Sequence, residues 1–324
     1  MKAEGKMLRA VVIALLLVLL PSLARAQSCT FGVTNMNFGF VDTLSGTAAT
    51  STATLSMTCT GSLPLLLPVL VCPHFASGTG GASSAAARQM VNGANSLNYQ
   101  LYSDPGMSVV WGSYNWPYAS RPPPQTLSPN LFGSSSDTAT VYGRVPGGQS
   151  TVPPGAYLST FSSGHVEIRY RTSLLGTSCN GGLGTLGTTP AFTINATVAA
   201  NCLVATQNID FGSKGVLDAN ADATGQVSVT CTPSTAYTVS LNGGTTGGTP
   251  TTRKMSKGAE RVTYGLYKDN ARTQPWGDAG TPGSTVAGTG TGTAQALTVY
   301  GRVPPQATPS AGSYNDTVVV TITY

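Results

Sequence analysis

The side chains that most often carry out chemistry are scarce in this chain. Only two of its 324 residues are histidines, His74 and His165, and neither stands in a metal-binding or nucleophile–base motif. The acidic residues are scattered singly, and no G-x-S-x-G segment is present. The glycine-rich stretches 181–187 and 288–292 are not followed by a helix-forming segment, which argues against a phosphate loop. We therefore expect no enzyme activity, no metal and no cofactor.

Cysteine remains as the reactive residue, and its number and position favour disulfide bonds. An even number of cysteines behind an export signal is typical of secreted, disulfide-bonded proteins, although the number alone leaves the pairing open. No C-x-x-C segment occurs, so a zinc site is disfavoured. The six residues are Cys29, Cys59, Cys72, Cys179, Cys202 and Cys231.

The first 26 residues have the pattern of a signal peptide. Lys2, Lys6 and Arg9 precede the apolar run AVVIALLLVLL, and Ala-Arg-Ala at 24–26 forms a cleavage site. We expect the mature chain to begin at Gln27, to reach the periplasm and then the cell exterior, and to contain no membrane span. Charged residues make up only 9% of the chain, with a formal net charge of +5 and no Lys/Arg cluster, which excludes a nucleic-acid partner.

The chain repeats itself, and the repeat has the pattern of strands. Alternating apolar residues such as Leu55, Met57 and Cys59 recur as Val227, Val229 and Cys231, and the runs are short and separated by Gly, Pro, Ser and Asn. We therefore predict an all-β protein of two tandem antiparallel sandwiches. The repeat also pairs Cys29 with Cys59 and Cys202 with Cys231, which leaves Cys72 and Cys179 as an additional bridge. The landmarks of copy one, each followed by its match, are Phe38-Gly39 and Phe211-Gly212, Arg88 and Arg253, Tyr99 and Tyr264, Trp111-Gly112 and Trp276-Gly277, and Val141–Pro146 and Val299–Pro304.

These landmarks resemble the spore coat protein U domain, which is shared by pilin subunits of archaic chaperone–usher pili. The resemblance covers both halves of the mature chain and implies immunoglobulin-like, pilin-type sandwiches. Two such domains in one subunit resemble the tip adhesins of Csu-type pili, which act in biofilm formation. The resemblance implies a periplasmic chaperone, an outer-membrane usher and the next pilin subunit as partners. We expect an N-terminal adhesin domain at 27–182 and a C-terminal pilin domain at 183–324.

Pilins of this type lack their last strand and accept one from the next subunit. An alternating stretch at 189–198 precedes copy two, whereas Cys29 is the third residue of the mature chain, so we expect copy one to have no strand to donate and the subunit to sit at the tip. Copy two ends in a strand whose apolar face we predict to meet the chaperone or the next subunit, and we expect its sandwich to be incomplete. Whether 183–198 completes copy one is left open, as is the alternative that the final strand closes copy two. The predicted interface residues are Val318, Val320, Ile322 and Tyr324.

Three apolar stretches distinguish copy one from copy two. A shift of 172 places Leu65–Leu70 over Tyr237–Asn242, so that Leu66 and Leu70 replace outward polar residues. We predict exposed loops that bind an abiotic or host surface, although each of them could instead belong to the core. The predicted surface-binding residues are Leu65, Leu66, Leu67, Leu70, Tyr114, Trp116, Tyr118, Leu131 and Phe132.

Two other functions fit the same sequence. A sugar-binding adhesin would stack Trp111, Trp116 and Tyr118 on sugar rings, with Asn115 and Arg121 as the nearest polar partners. A purely structural pilin or coat subunit would need no binding loops at all.

Overall fold

The computed structural model describes residues 27–61, 67–114, 121–128, 134–172, 178–180, 184–188, 190–281 and 284–324. These residues form β-strands and no helix, which confirms the all-β prediction. The predicted residues Leu65, Leu66, Trp116, Tyr118, Leu131 and Phe132 lie outside the described ranges. No helix among the described residues is long and apolar enough to cross a membrane.

The chain divides into two compact units. The first comprises residues up to Val41 with 48–146 and 156–197, and the second comprises 42–47, 147–155 and 198–324. The boundary between the units therefore lies at Thr197 and Val198, later than the predicted boundary at 182 and 183. The reason is that the alternating stretch before copy two belongs to the first unit.

The described residues of the first unit form thirteen strands in two sheets. The larger sheet has the order β1-β3-β9-β7-β6-β10-β13-β2, with β5 beside β6, and the smaller has the order β12-β11-β4-β8. The strands are β1 (Ser28–Val33), β2 (Met36–Val41), β3 (Ala49–Thr60), β4 (Val69–Phe75), β5 (Ala82–Ser84), β6 (Ala87–Asn92), β7 (Asn95–Tyr102), β8 (Gln125–Leu127), β9 (Ser134–Val145), β10 (Gly155–Phe161), β11 (Val166–Thr172), β12 (Thr185–Leu186) and β13 (Phe192–Val198).

The second unit repeats this arrangement with fewer strands. Its larger sheet has the order β14-β15-β20-β18-β17, and its smaller sheet has the order β19-β16-β21. The strands are β14 (Cys202–Gln207), β15 (Ala221–Cys231), β16 (Ala236–Leu241), β17 (Arg253–Lys257), β18 (Glu260–Tyr267), β19 (Val286–Thr289), β20 (Gln295–Val303) and β21 (Val320–Thr323).

Alternation places the core between the sheets of each unit. In β3, Ala53, Leu55 and Met57 are buried while the residues between them are exposed, as expected of a strand with one face in water. The disulfides Cys29–Cys59 and Cys202–Cys231 join the first strand of each unit to the next strand in its sheet, and both were predicted from the repeat. The predicted third bridge, Cys72–Cys179, is also confirmed.

A buried arginine joins the two sheets at the same place in each unit. Arg88 donates hydrogen bonds to the backbone carbonyl oxygens of Phe75, Ala76 and Trp111. Arg253 donates to the corresponding oxygens of Leu241, Asn242 and Trp276. Because a buried guanidinium is costly unless its N–H groups are satisfied, these bonds fix the position of β4 and β16 against the larger sheets.

Candidate functional site

The arginine bonds correct the predicted alignment of the two copies. Phe75 and Leu241 accept equivalent hydrogen bonds and therefore correspond to each other. Phe75 lies sixteen positions after Cys59, whereas Leu241 lies ten positions after Cys231. The first unit therefore carries six additional residues between β3 and β4. The apolar stretch between β3 and β4 is thus an insertion and does not replace the polar residues of β16.

The prediction that Leu70 is exposed is wrong. Leu70 is only 1% exposed, and all seven residues of β4 are buried. Leu70 and Cys72 pack with Cys179 and with the half-buried Tyr114, which cover the outer face of β4. The corresponding outer positions of β16 are Ala236, Thr238 and Ser240, none of which is buried. The first unit therefore has a second layer over its smaller sheet, which we call the covering layer (residues 113–114 and 178–179).

His74, on the outer face of β4, is a polar residue that contacts the covering layer. Its ring stacks on Tyr114 with 5.2 Å between ring centroids, and its Nδ1 accepts a hydrogen bond of 2.7 Å from the Tyr114 backbone N–H. Burial lowers the pKa of His74 to about 4, with Glu167 opposing this shift and Arg88 adding to it. The neutral ring therefore fixes the chain at the point where residues 115–120 begin.

Strand register brings the strand ends that flank two of the three predicted loops to one end of the first unit. Thr60 faces Ser134, and Val69 faces both Leu127 and Thr172. The connections 61–68, 128–133 and 173–177 therefore all leave from this end, which we call the loop end. Of the predicted residues, Leu67 at this end is half-buried, and so is Tyr114 in the covering layer.

Two further leucines were not among the predicted surface-binding residues, and they lie outside the described residues. The segment after β11 carries Leu174 and Leu175, which add to the apolar content of the connections. The alignment of the two copies did not indicate these residues, because it extends only as far as Tyr170 and its counterpart Tyr324. Trp111, by contrast, is buried and donates its Nε1–H to the Pro73 carbonyl oxygen, so it cannot stack on a sugar.

A groove between β10 and β2 of the first unit is filled by β13. Phe192, Ile194 and Ala196 are buried, while the residues between them are not. The Phe192 ring stacks on Phe161 at 4.6 Å and meets Phe75 edge-on at 5.3 Å. The question left open by the sequence is thus answered, since the chain completes its own first sandwich.

The corresponding groove of the second unit is open. Residues 208–214 and 310–318, the counterparts of β2 and β10, form no strand, and a cavity of about 520 Å³ lies between them. We call it the open groove. Among its lining residues are core side chains that a further strand would cover. They include Ile209, Phe211, Val227, Leu266, Tyr314, Val318 and Val320.

The predicted interface residues occupy different places around this groove. Val318 and Val320 line it and are half-buried, whereas their counterparts Phe161 and Val166 are fully buried. Ile322 packs against the core, and Tyr324 is 55% exposed. The residues missed by the sequence are Ile209, Phe211 and Tyr314, although the repeat could have indicated them as counterparts of Met36, Phe38 and Tyr157.

Hydrogen bonds hold the rim of the open groove. The Glu260 carboxylate accepts hydrogen bonds from the Ser310 hydroxyl and backbone N–H and from the Tyr314 hydroxyl, and these lower its pKa to about 2. On the other side of Tyr314, the Tyr264 hydroxyl donates to Asp316 at 2.7 Å. Burial and this carboxylate raise the pKa of Tyr264. These bonds hold the rim in place together with the backbone pairing of Asn315 and Ser256 of β17.

The described residues of the groove do not form a cluster of metal-ligating side chains. No cluster of three or more His, Cys, Asp or Glu side chains occurs anywhere in the described ranges. The arrangement is instead suited to binding an extended segment through backbone hydrogen bonds and alternating apolar contacts.

The sequence pattern of the Spore Coat Protein U domain matches residues 14–163 and 188–321. The chain belongs to the spore coat protein U domain family. This confirms the resemblance carried by the repeated landmarks. The second match begins upstream of β13, so the boundary of the spore coat U repeat in the sequence differs from that of the compact units.

One protein is similar to this spore coat U chain in sequence, and a chain of known structure is similar to it in fold. Protein U of Myxococcus xanthus is 34% identical over 108 residues, which is 31% of this chain and 59% of that protein's length. A chain in the crystal structure of the CsuC–CsuE chaperone–tip adhesion subunit pre-assembly complex, from archaic Csu pili of Acinetobacter baumannii, has a similar fold. It aligns with a TM-score of 0.55 at 19% identity, covering 92% of this chain and 100% of that one. The CupB6 tip adhesin of Pseudomonas aeruginosa aligns with a TM-score of 0.39 at 13% identity, covering 92% and 94%.

Proposed function

We propose that this protein is the tip adhesin subunit of an archaic chaperone–usher pilus. Its second unit accepts a donor strand from the next pilin subunit, and its first unit attaches the cell to surfaces and promotes biofilm formation. The observation that carries the proposal is the contrast between two equivalent grooves, of which one is filled by β13 and the other is open.

The filled groove supports donor-strand binding in the open one. In the first unit, β13 buries an apolar side chain at every second position and joins two strands through the backbone. The second unit presents equivalent residues on both sides of its groove, and they are half-buried where their counterparts are buried. Because exposed core surface and unpaired strand edges favour association, a partner strand would stabilise this unit.

The loop end and the connection that follows Tyr114 support the adhesive role. The apolar residues proposed to touch a surface are Leu65, Leu66, Leu67, Trp116, Tyr118, Leu131 and Phe132. Leu70 is removed from this set because it is buried, and Tyr114 supports the adjoining segment through its stack on His74. Burying about 300 Å² of apolar surface yields about 7 kcal/mol before immobilisation costs, and many pili acting together convert modest attachment into firm adhesion.

The proposal also implies a route and a set of partners. The similarity to the CsuC–CsuE complex supports a periplasmic chaperone that holds the subunit before assembly. Export by the N-terminal signal, passage through an outer-membrane usher and a final place outside the cell follow from the same role.

Neighbouring valines provide a matched test of the open groove. Val318 lines the groove, whereas Val319 is 50% exposed and points away from it. We expect Val318→Asp to abolish the complex with the next subunit, because an unpaired carboxylate in an apolar groove is costly. Val319→Asp should leave the complex intact. Co-purification of the tagged subunit with its pilus partners measures both, and equal binding by the two variants would contradict the proposal.

A further inference from the structure

We propose that the second unit binds the next subunit at a second site outside the open groove. This site consists of the free edges of β14 and β21 and of the side chains Val204 and Tyr324. Its occupant is the part of the next subunit's N-terminal segment that immediately precedes the donor strand. The inference rests on the proposed function, since it assigns a further contact to the same incoming segment.

The first unit shows what covers the equivalent site. In β12, Thr185 and Leu186 pair with Tyr170 and Arg169 of β11, a few residues before β13 begins. The next residue, Gly187, donates its backbone N–H to the Ile168 carbonyl oxygen at 2.9 Å. Residues 185–187 therefore extend the smaller sheet by one short strand.

The same segment also caps the edge of β1. Thr188 Oγ1 accepts a hydrogen bond of 2.9 Å from the backbone N–H of Phe31. The Phe31 and Tyr170 rings lie 6.2 Å apart, and both are nearly buried. Gly187 packs closely on Phe31, since a Cβ at this position would lie 2.3 Å from a Phe31 ring carbon. Residues 185–188 thus cover the first unit at the point where β1 and β11 meet.

The second unit has the same site without its cover. The cysteine bridges make Phe31 the counterpart of Val204, and the pairs Val166–Phe75 and Val320–Leu241 make Tyr170 the counterpart of Tyr324. Val204 is 43% exposed where Phe31 is 8% exposed, and Tyr324 is 55% exposed where Tyr170 is 6% exposed. In the described part of the chain, β14 pairs only with β15, and β21 pairs only with β16.

The free edges of β14 and β21 determine which residues the incoming segment must carry. Two extended residues pair with the edge of β21 at Thr323 and Tyr324, and the next backbone N–H reaches the Ile322 carbonyl oxygen. A Ser or Thr then accepts the hydrogen bond from the Val204 N–H, as Thr188 does from Phe31. Because valine is smaller than phenylalanine, the residue in the place of Gly187 need not be glycine.

The chain's own first unit supplies the probe for this site. A copy of residues 171–198, with Cys179→Ser, is added after Tyr324, because residue 171 follows Tyr170 in the first unit. A second extension of equal length replaces residues 184–188 by Gly and Ser and retains 190–198. Hydrogen exchange of the full chain reports the groove through residues 312–318 and the second site through the amide of Val204.

We expect both extensions to slow exchange at the groove and only the first to slow exchange at Val204, by at least tenfold. Combining Val204→Ser with Tyr324→Ser should remove that difference, whereas Leu203→Ser, at the neighbouring exposed position of β14, should not. Equal protection of Val204 by the two extensions would overturn the inference and leave the proposed function standing. If neither extension protects the groove, the proposed function fails and the inference fails with it.

Discussion

At the scale of single residues, the roles of the two buried arginines and of His74 depend on backbone groups that the sequence cannot locate. Arg88 and Arg253 repeat in the sequence, but their carbonyl partners come from loops and strands distant in the chain. His74 was considered only as a ligand or catalyst. Its partner is the backbone N–H of Tyr114, forty residues away, and no side-chain pattern signals such a bond.

His74 should make the first unit sensitive to mild acid. Its folded-state pKa of about 4 lies below its ordinary value of 6.5, so the unfolded chain takes up the proton first as the pH falls. Stability is therefore full above pH 6.5 and is lost as the pH falls toward 4, by an amount on the order of 3 kcal/mol. Denaturant unfolding of the mature chain across this range measures the loss.

The comparison of variants isolates this histidine from the carboxylates that also titrate in acid. His74→Gln should have a flatter stability profile between pH 6.5 and 4 than the parent chain. If the His74 variant kept the parent slope, the acid sensitivity would have to be assigned to other groups.

At the scale of elements, the repeat predicted the sandwiches and two disulfides because both follow from strand alternation and equal spacing. It failed at Leu70, where an insertion shifted the register and a covering layer buried the outer face of the strand. Alternation assumes that one face meets water, and β4 is buried on both. The repeat also could not show that the strand before copy two belongs to the first unit, since this depends on tertiary pairing.

The strand β13 should stabilise the first unit from within. Ile194 is fully buried in the filled groove, so Ile194→Ala leaves a cavity and should cost about 2–5 kcal/mol. Thr197→Ala, at an exposed position of the same strand, should change stability by less than about 0.5 kcal/mol. Hydrogen exchange separates the units, and we expect faster exchange in β10 and β2 with β18 and β20 unchanged. Loss of protection in the second unit instead would contradict the assignment of β13.

At the scale of the whole molecule, the two units use one fold in two states of completion. The first carries its own last strand and is a closed sandwich with a covering layer. The second retains the open groove, which under the proposed function is filled by another chain. An insertion between β3 and β4 is tolerated in the closed unit because loops at a strand end can lengthen at small entropic cost. Under the proposed function, duplication has separated adhesion from assembly within one subunit.

This separation predicts that adhesion can be removed without loss of assembly. Replacing Leu66, Trp116 and Phe132 together by Ser should lower attachment of piliated cells to polystyrene by at least tenfold, because apolar burial at the surface is lost. Pilus number, counted by electron microscopy, should be unchanged. Leu158→Ser provides the control, since it removes an exposed apolar side chain from β10, away from the loop end.

The outcomes of this experiment distinguish the competing functions. Attachment that persists in the triple variant would show that the apolar connections do not mediate adhesion. Attachment by the parent chain that excess sugar abolishes would favour a lectin, in which Trp116 and Tyr118 stack on the ligand without Trp111. Loss of both pili and adhesion would indicate that these residues belong to the core, because a unit with a disrupted core would not be assembled.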